Sequence, residues 1–217
     1  MYSVVIPCAG KGSRTKLNVN KLLYKVDGLH LIEYTIEKFI YDPEFTEIIL
    51  VVAKNEMVKF EMFTSNKIKL VVGGSMRQAS VYSGVKAATN KIVFVHDGAR
   101  PLISDEIIEK CKRAMEYNDS CVVGLPLTDS LKEIEEDGKT RTITRNNKYI
   151  VQTPQCARRT LLLDAYARAK RDNFYGTDEV SLIERYSDAS INLVKGSKMN
   201  IKITYAEDFE IFDKLRK

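Results

Sequence analysis

Cysteine and histidine are both scarce in this chain. The four cysteines, Cys8, Cys111, Cys121 and Cys156, show neither a C-x-x-C pair nor the spacing of a zinc site. They read as free thiols, and Cys8 as a small buried residue beside a loop, with no partner base to make it a nucleophile. Only two histidines are present. No apolar stretch is long enough to span a bilayer, and no signal-peptide pattern precedes the first strand. The expectation is a reduced, cytoplasmic protein with no membrane partner. Lys/Arg runs interleaved with aromatics are also missing, so nucleic acid is not expected as a partner. Anionic small substrates account equally well for the net charge of +5. The P-loop pattern G-x-x-x-x-G-K-[ST] occurs nowhere, and the dinucleotide fingerprint lacks its third glycine, where Thr15 stands. Internal repeats, low-complexity segments and clear linkers are absent too.

What is there is an ordinary globular composition, 217 residues with 44% hydrophobic and 29% charged. The length suits one α/β domain over residues 1–217 with modest additions. Its most informative feature is the start. The apolar run at 4–7 reads as a buried strand and feeds Cys8-Ala9-Gly10-Lys11-Gly12-Ser13-Arg14, with Lys21 seven residues further on. Two glycines let a backbone approach a ligand, and three basic side chains can neutralise phosphates. This points to a nucleoside triphosphate. A glycine turn with solvated basic residues is the plainer alternative.

Strands and helices alternate. Strands are expected at 48–52, 68–72, 92–95 and 121–125, and helices near 31–40, 55–63, 76–88 and 105–117. Ser75-Met76-Arg77-Gln78 has the form of a capping box. Ser104 suits an N-cap, with Asp105 and Glu106 in the first turn. The alternation implies a doubly wound, mostly parallel sheet with ligands at the carboxyl ends of its strands. Segments 8–21, 73–80 and 96–101 fall there. Residues 129–150 break the pattern: they are highly charged, and Asp137-Gly138 marks a hairpin. An isolated hairpin is marginal in water. It is either an arm packed on a second copy of the chain or a surface loop. Helices near 158–171 and 178–186, strands at 191–194 and 200–204, and a helix from about 206 complete the reading.

Further constellations join the first loop: Gly73-Gly74-Ser75-Met76-Arg77-Gln78-Ala79-Ser80, His96-Asp97-Gly98-Ala99-Arg100-Pro101, Thr153-Pro154-Gln155, Thr177-Asp178-Glu179 and Asn200-Ile201-Lys202-Ile203-Thr204. In this order, across nearly the whole chain, they resemble the 2-C-methyl-D-erythritol 4-phosphate cytidylyltransferases, a group of nucleotidyltransferases with a Rossmann-like fold. The resemblance implies CMP transfer from CTP to a polyol phosphate, releasing pyrophosphate, in non-mevalonate isoprenoid precursor synthesis. It implies Arg14, Lys21 and Lys202 as catalytic cations. Ala9, Gly10, Gly12, Gly74, Arg77 and Ser80 would lie near the nucleotide. Arg100, Ser130, Arg145 and Thr177 would meet the polyol phosphate, and Asp97 a magnesium or other divalent cation. It further implies a homodimer in which Ser130 and Arg145 of the arm reach the neighbouring subunit's site. His96 reads as structural rather than catalytic.

Departures from the family pattern are Cys8 for alanine, Thr15 for methionine, Asn20 for proline, Ser75 and Met76 for an Asp-Glu pair, Ser130 for threonine and Glu133 for a basic residue. The related ribitol 5-phosphate cytidylyltransferases usually carry a bulkier residue at the position of Ala99 and lack Lys132, which favours the erythritol substrate. A non-catalytic nucleotide sensor could dispense with Lys21, Asp97 and Lys202, yet all are present.

Overall fold

β-Branched residues dominate the first strand, and their alternation sets up two cores. A computed structural model describes residues 1–10 and 19–217. Strand β1 (Tyr2–Pro7) sends Val4 and Ile6 to one face of the sheet and Val5 to the other. A short antiparallel pair, β2 (Lys25–Val26) and β3 (Leu29–His30), leads into α1 (Leu31–Ile40). Next come β4 (Phe45–Val52), α2 (Met57–Phe60), β5 (Ile68–Val72), α3 (Arg77–Ala87), β6 (Ile92–Val95), α4 (Asp105–Tyr117) and β7 (Ser120–Pro126). The arm strands β8 (Leu131–Ile134) and β9 (Thr140–Ile143) precede β10 (Tyr149–Arg158), α5 (Arg159–Arg171), α6 (Glu179–Tyr186), β11 (Ile191–Lys195) and α7 (Glu207–Leu215).

The main sheet has seven strands in the order β11-β7-β10-β6-β1-β4-β5. All neighbours are parallel except β10, which runs antiparallel between β6 and β7. Residues from α1, α4 and α7 fill the core on one face, and residues from α3, α5 and α6 that on the other. The doubly wound architecture expected from the alternation is therefore present. Among the described residues no helix is long and apolar enough to cross a membrane.

α3 approaches the sheet closely at Gly84. A Cβ there would lie 2.4 Å from Val5 Cγ1 and 2.7 Å from Val51 Cγ2, inside the van der Waals limit. Gly84→Ala is thus expected to destabilise the fold by about 1–3 kcal/mol, the usual range for overpacking. Urea unfolding checks this, with a lower midpoint at unchanged slope as the expected result.

Four sequence expectations need correction. The segment 200–204 is not a strand. Despite its alternating Ile-Lys-Ile pattern, the Ile203 amide makes one backbone bond, to the Ala99 carbonyl at 2.8 Å, and among the described residues no ladder forms. The helix near 55–63 is α2 flanked by 3-10 turns at Lys54–Glu56 and Glu61–Phe63. Ser75 makes no capping box. Met76 is the N-cap of α3 and has no side-chain cap bond, while the Ser80 hydroxyl holds the turn from within the helix. β10 is not expected from the sequence, because Pro154 and three polar neighbours break its apolar pattern. A register shift between Gln152 and Gln155 accommodates them. Ser104, by contrast, caps α4 as expected, accepting from the Ile107 amide.

Candidate active site

At the carboxyl ends of β1, β5 and β6 lies a cleft of about 380 Å³. Ala9 and Gly10 form one wall and Gly74, Ser75, Met76, Arg77 and Ser80 another; Lys21, Asp97, Lys202 and Thr204 complete the lining. Gly74 is required by close approach, since a Cβ would lie 2.5 Å from that of Ala79. The Ser80 hydroxyl accepts from the Gly74 amide at 3.1 Å and donates to the Met76 carbonyl at 2.9 Å, fixing the glycine turn against α3.

Lys21 opens a 3-10 turn, Lys21–Leu23, whose N-cap is the buried Asn20. The Asn20 side chain accepts from the Leu22 amide at 3.1 Å and donates to the Cys8 carbonyl and to Glu56, both at 2.9 Å. It ties the end of β1 to the lysine turn, a role no proline could fill. Lys21 Nζ donates to the Ile203 carbonyl at 2.6 Å. Arg14 and Gly12 lie outside the described residues.

Asp97 is the electrostatic centre. Its carboxylate meets Lys202 Nζ at 2.6 Å, Arg77 Nη2 at 3.3 Å and Arg100 Nε at 3.8 Å. Burial alone would push the carboxyl up, but Arg77, Lys202 and Arg100 together outweigh it and hold it well below the usual carboxylate range. Arg77 is itself clamped by Glu179, with paired contacts of 2.8 and 3.1 Å. Tyr166 donates to the same buried carboxylate at 3.1 Å. Gln155 steadies this corner by donating to Asp178 and accepting from the Val180 amide. The Asp97 amide donates to the Thr153 hydroxyl at 3.0 Å.

His96 is structural, as its sequence context suggested. Its Nε2 faces the Arg100 carbonyl, which can only accept, so Nε2 carries the proton and Nδ1 accepts from Thr153. Burial pulls the imidazole down to about 4. The unfolded chain, with an ordinary histidine near 6.5, takes up a proton first as pH falls. The contribution of neutral His96 to stability is therefore full above pH 6.5 and lost between 6.5 and 4. His96→Gln is expected to flatten the stability profile over that window, as urea unfolding at a series of pH values would record.

The other sequence candidates are dispersed. Arg100 is turned from the cleft and donates to the Asn200 carbonyl at 2.7 Å. Its Nε is buried and has no hydrogen-bond partner among the described residues. Thr177 lines a small neighbouring depression beside Arg77 and Glu179. Ser130 and Arg145 sit on the exposed arm outside the cleft, and Arg145 donates to the Thr128 carbonyl. Glu133 is paired with Arg141, so its charge is compensated locally. Cys8 is buried, its thiol pushed up by burial, and it donates to the Ile6 carbonyl. Sequence reasoning quoted Glu179 and Thr153 within motifs but gave neither a role. Spacing cannot show that Glu179 reaches Arg77 and Thr153 reaches Asp97.

A cationic cleft at the carboxyl ends of a mostly parallel sheet, walled by glycine turns, defines the class as an α/β nucleotidyltransferase. The family model for 2-C-methyl-D-erythritol 4-phosphate cytidylyltransferase matches residues 2–215. The relative so named from Aquifex aeolicus is 38% identical over 215 residues, covering 99% of this chain and 97% of that protein. The one from Clostridioides difficile is 36% identical over 222 residues, covering 99% and 93%. The crystal structure of 4-diphosphocytidyl-2C-methyl-D-erythritol synthase from Anaerococcus prevotii superposes with a TM-score of 0.89 at 29% identity, over 100% of this chain and 98% of that one. The chain belongs to the 2-C-methyl-D-erythritol 4-phosphate cytidylyltransferase family. Its reaction is that of a cytidylyltransferase, carrying CMP from CTP to the methylerythritol phosphate.

Proposed function

We propose that the cleft lined by Ala9, Gly10, Lys21, Gly74, Asp97 and Lys202 carries out this transfer, with Lys21, Lys202 and Arg14 as the cations of the reaction. The observation that carries the reading is the convergence of Lys21, Lys202 and Arg77 on one cleft around Asp97. A phosphate monoester has a second pKa of about 6 and is already a nucleophilic dianion at neutral pH, so no general base is required. The neutral, buried His96 is consistent with that. What remains is to neutralise charge at the α-phosphorus as the attacking oxygen arrives and pyrophosphate leaves. Ala9, Gly10, Gly74 and Ser80 line the cleft and give the nucleotide close approach. Arg77, held by Glu179, presents its charge to Asp97 and the cleft rather than pairing freely with a ligand.

Asp97 is the proposed magnesium ligand. Its carboxylate is ionised, lines the cleft and offers a hard oxygen donor, so it fits a cation that takes few protein ligands. When bound, the ion would neutralise the triphosphate. Asp97 would hold it only as Lys202 yields part of its 2.6 Å contact.

The polyol phosphate side is incomplete within one chain. Ser130 and Arg145 lie on an arm whose Leu131 and Ile134 are exposed, as are Tyr149, Ile150 and Val151 at the foot of β10. We infer a cytoplasmic homodimer in which this apolar strip packs on a second copy and Arg145 reaches over the partner's cleft. Lys21→Ala and Arg145→Ala homodimers are then both expected to be poor enzymes. Co-expression should yield half mixed dimers, each with one of two sites intact, and recover roughly a quarter of wild-type activity. Verified heterodimers without recovery would show that each site is built within one chain. Turnover with purified 2-C-methyl-D-erythritol 4-phosphate and ribitol 5-phosphate tests the substrate. A clear preference for the erythritol compound is expected, and a preference for ribitol would overturn the assignment.

A further inference from the structure

Three cysteines distant in sequence meet inside the molecule, away from the nucleotide cleft. β7 and β10 are antiparallel, and their register sets Cys121 directly opposite Cys156. Opposed residues of an antiparallel pair project to the same face. α4 covers that face and contributes Cys111. The three Sγ atoms all lie within 4.8 Å of one another, and every one of the residues is buried.

The surroundings are apolar. Phe94, Ile107, Ile108, Met115 and Val123 belong to the same core, and the group includes no imidazole or carboxylate. Lys112, adjacent in sequence to Cys111, is committed to Asp42, Glu44 and Glu109. Lys112 is thus not at hand to balance a negative site. Charge then decides which guest fits. A divalent ion on three thiolates would leave one net negative charge and a monovalent ion two, each with a heavy desolvation penalty. A trivalent centre on three thiolates is neutral. Thiolates also select thiophilic elements.

We propose that Cys111, Cys121 and Cys156 form a binding site for a trivalent, thiophilic oxyacid, with arsenite as its type. The step balances without oxidant or reductant. Three S–H and three As–O bonds break, three As–S bonds form, and the three protons leave with three hydroxides as water. Access requires local opening of α4 from β7 and β10, so binding is slow and speeds up in mild denaturant.

The test uses wild-type protein reduced with a phosphine, incubated with sodium arsenite and desalted. Native mass spectrometry should show one arsenic gained and three hydrogens lost per chain, and arsenic X-ray absorption should count three sulfur neighbours. Cys111→Ser, Cys121→Ser and Cys156→Ser should each weaken retention by at least about tenfold, the loss that even an outer partner of a metal ligand brings. Cys8→Ser should bind as wild type does. If the serine variants do not fold, the sulfur count on the wild-type protein still decides. Two or fewer sulfur neighbours, no retained arsenic, unchanged binding by Cys111→Ser, or tighter binding of zinc or cuprous copper would each overturn the proposal.

Discussion

A Lys21→Ala variant is expected to turn over roughly two to three powers of ten more slowly than wild type, as when one transition-state donor is removed. The ammonium is held in the cleft by the Ile203 carbonyl at 2.6 Å, on a turn that Asn20 fixes to the end of β1. A group so placed reaches its working position without reorganising. Its loss removes little buried apolar surface, so the thermal midpoint should change far less than the rate. The fall should appear in kcat at saturating CTP rather than in KM alone. Wild-type kcat in a pure, folded variant would remove Lys21 from the chemistry.

Asp97→Asn is expected to impair activity and stability together. The amide keeps the shape but leaves Arg77, Arg100 and Lys202 without their shared counter-charge. Breaking a buried ion pair typically costs about 3–5 kcal/mol. The low end applies here, because Arg77 and Lys202 keep 37% and 36% of their side chains exposed and are partly screened. The magnesium concentration required for turnover should rise, since a hard cation prefers the charged donor. The sign of the pH effect follows from the direction of the shift. A carboxyl held below its ordinary 3.8 stabilises the fold above that pH and loses the contribution as pH falls further. Wild type and variant should thus differ most at neutral pH and converge in acid, as urea unfolding at several pH values would reveal. Equal stability at pH 7 and unchanged metal dependence would reduce Asp97 to a strand-end cap.

The parts of this site carried by local chemistry were legible in the sequence. Glycine turns, basic residues and an acidic residue at strand ends mark a strand-end cleft because each acts through backbone approach or charge at its own position. Lys21, Gly74, Ser80, Asp97 and Lys202 do line one cleft. Contacts made across the sheet were not legible. Glu179 reaches Arg77 from α6, and Thr153 reaches Asp97 from β10, a strand hidden by Pro154 and its polar neighbours. The alternation in 200–204 suggests a strand, whereas the segment is irregular and presents Lys202 to Asp97 and the Ile203 carbonyl to Lys21. Likewise the spacing of Cys111, Cys121 and Cys156 matches no ligand pattern, because strand register and helix packing bring them together. Arg100 shows the reverse case: its motif points to a ligand, while its guanidinium faces Asn200 and Asp97 within one chain.

The most direct measurement is a crystal structure with CTP and magnesium bound. The account predicts the triphosphate against Lys21 and the 8–21 loop, the base against Gly74 and Ser80, and the metal on Asp97. CTP seated in the separate cavity beside Tyr82 and Phe174, or a metal bound without Asp97, would contradict it.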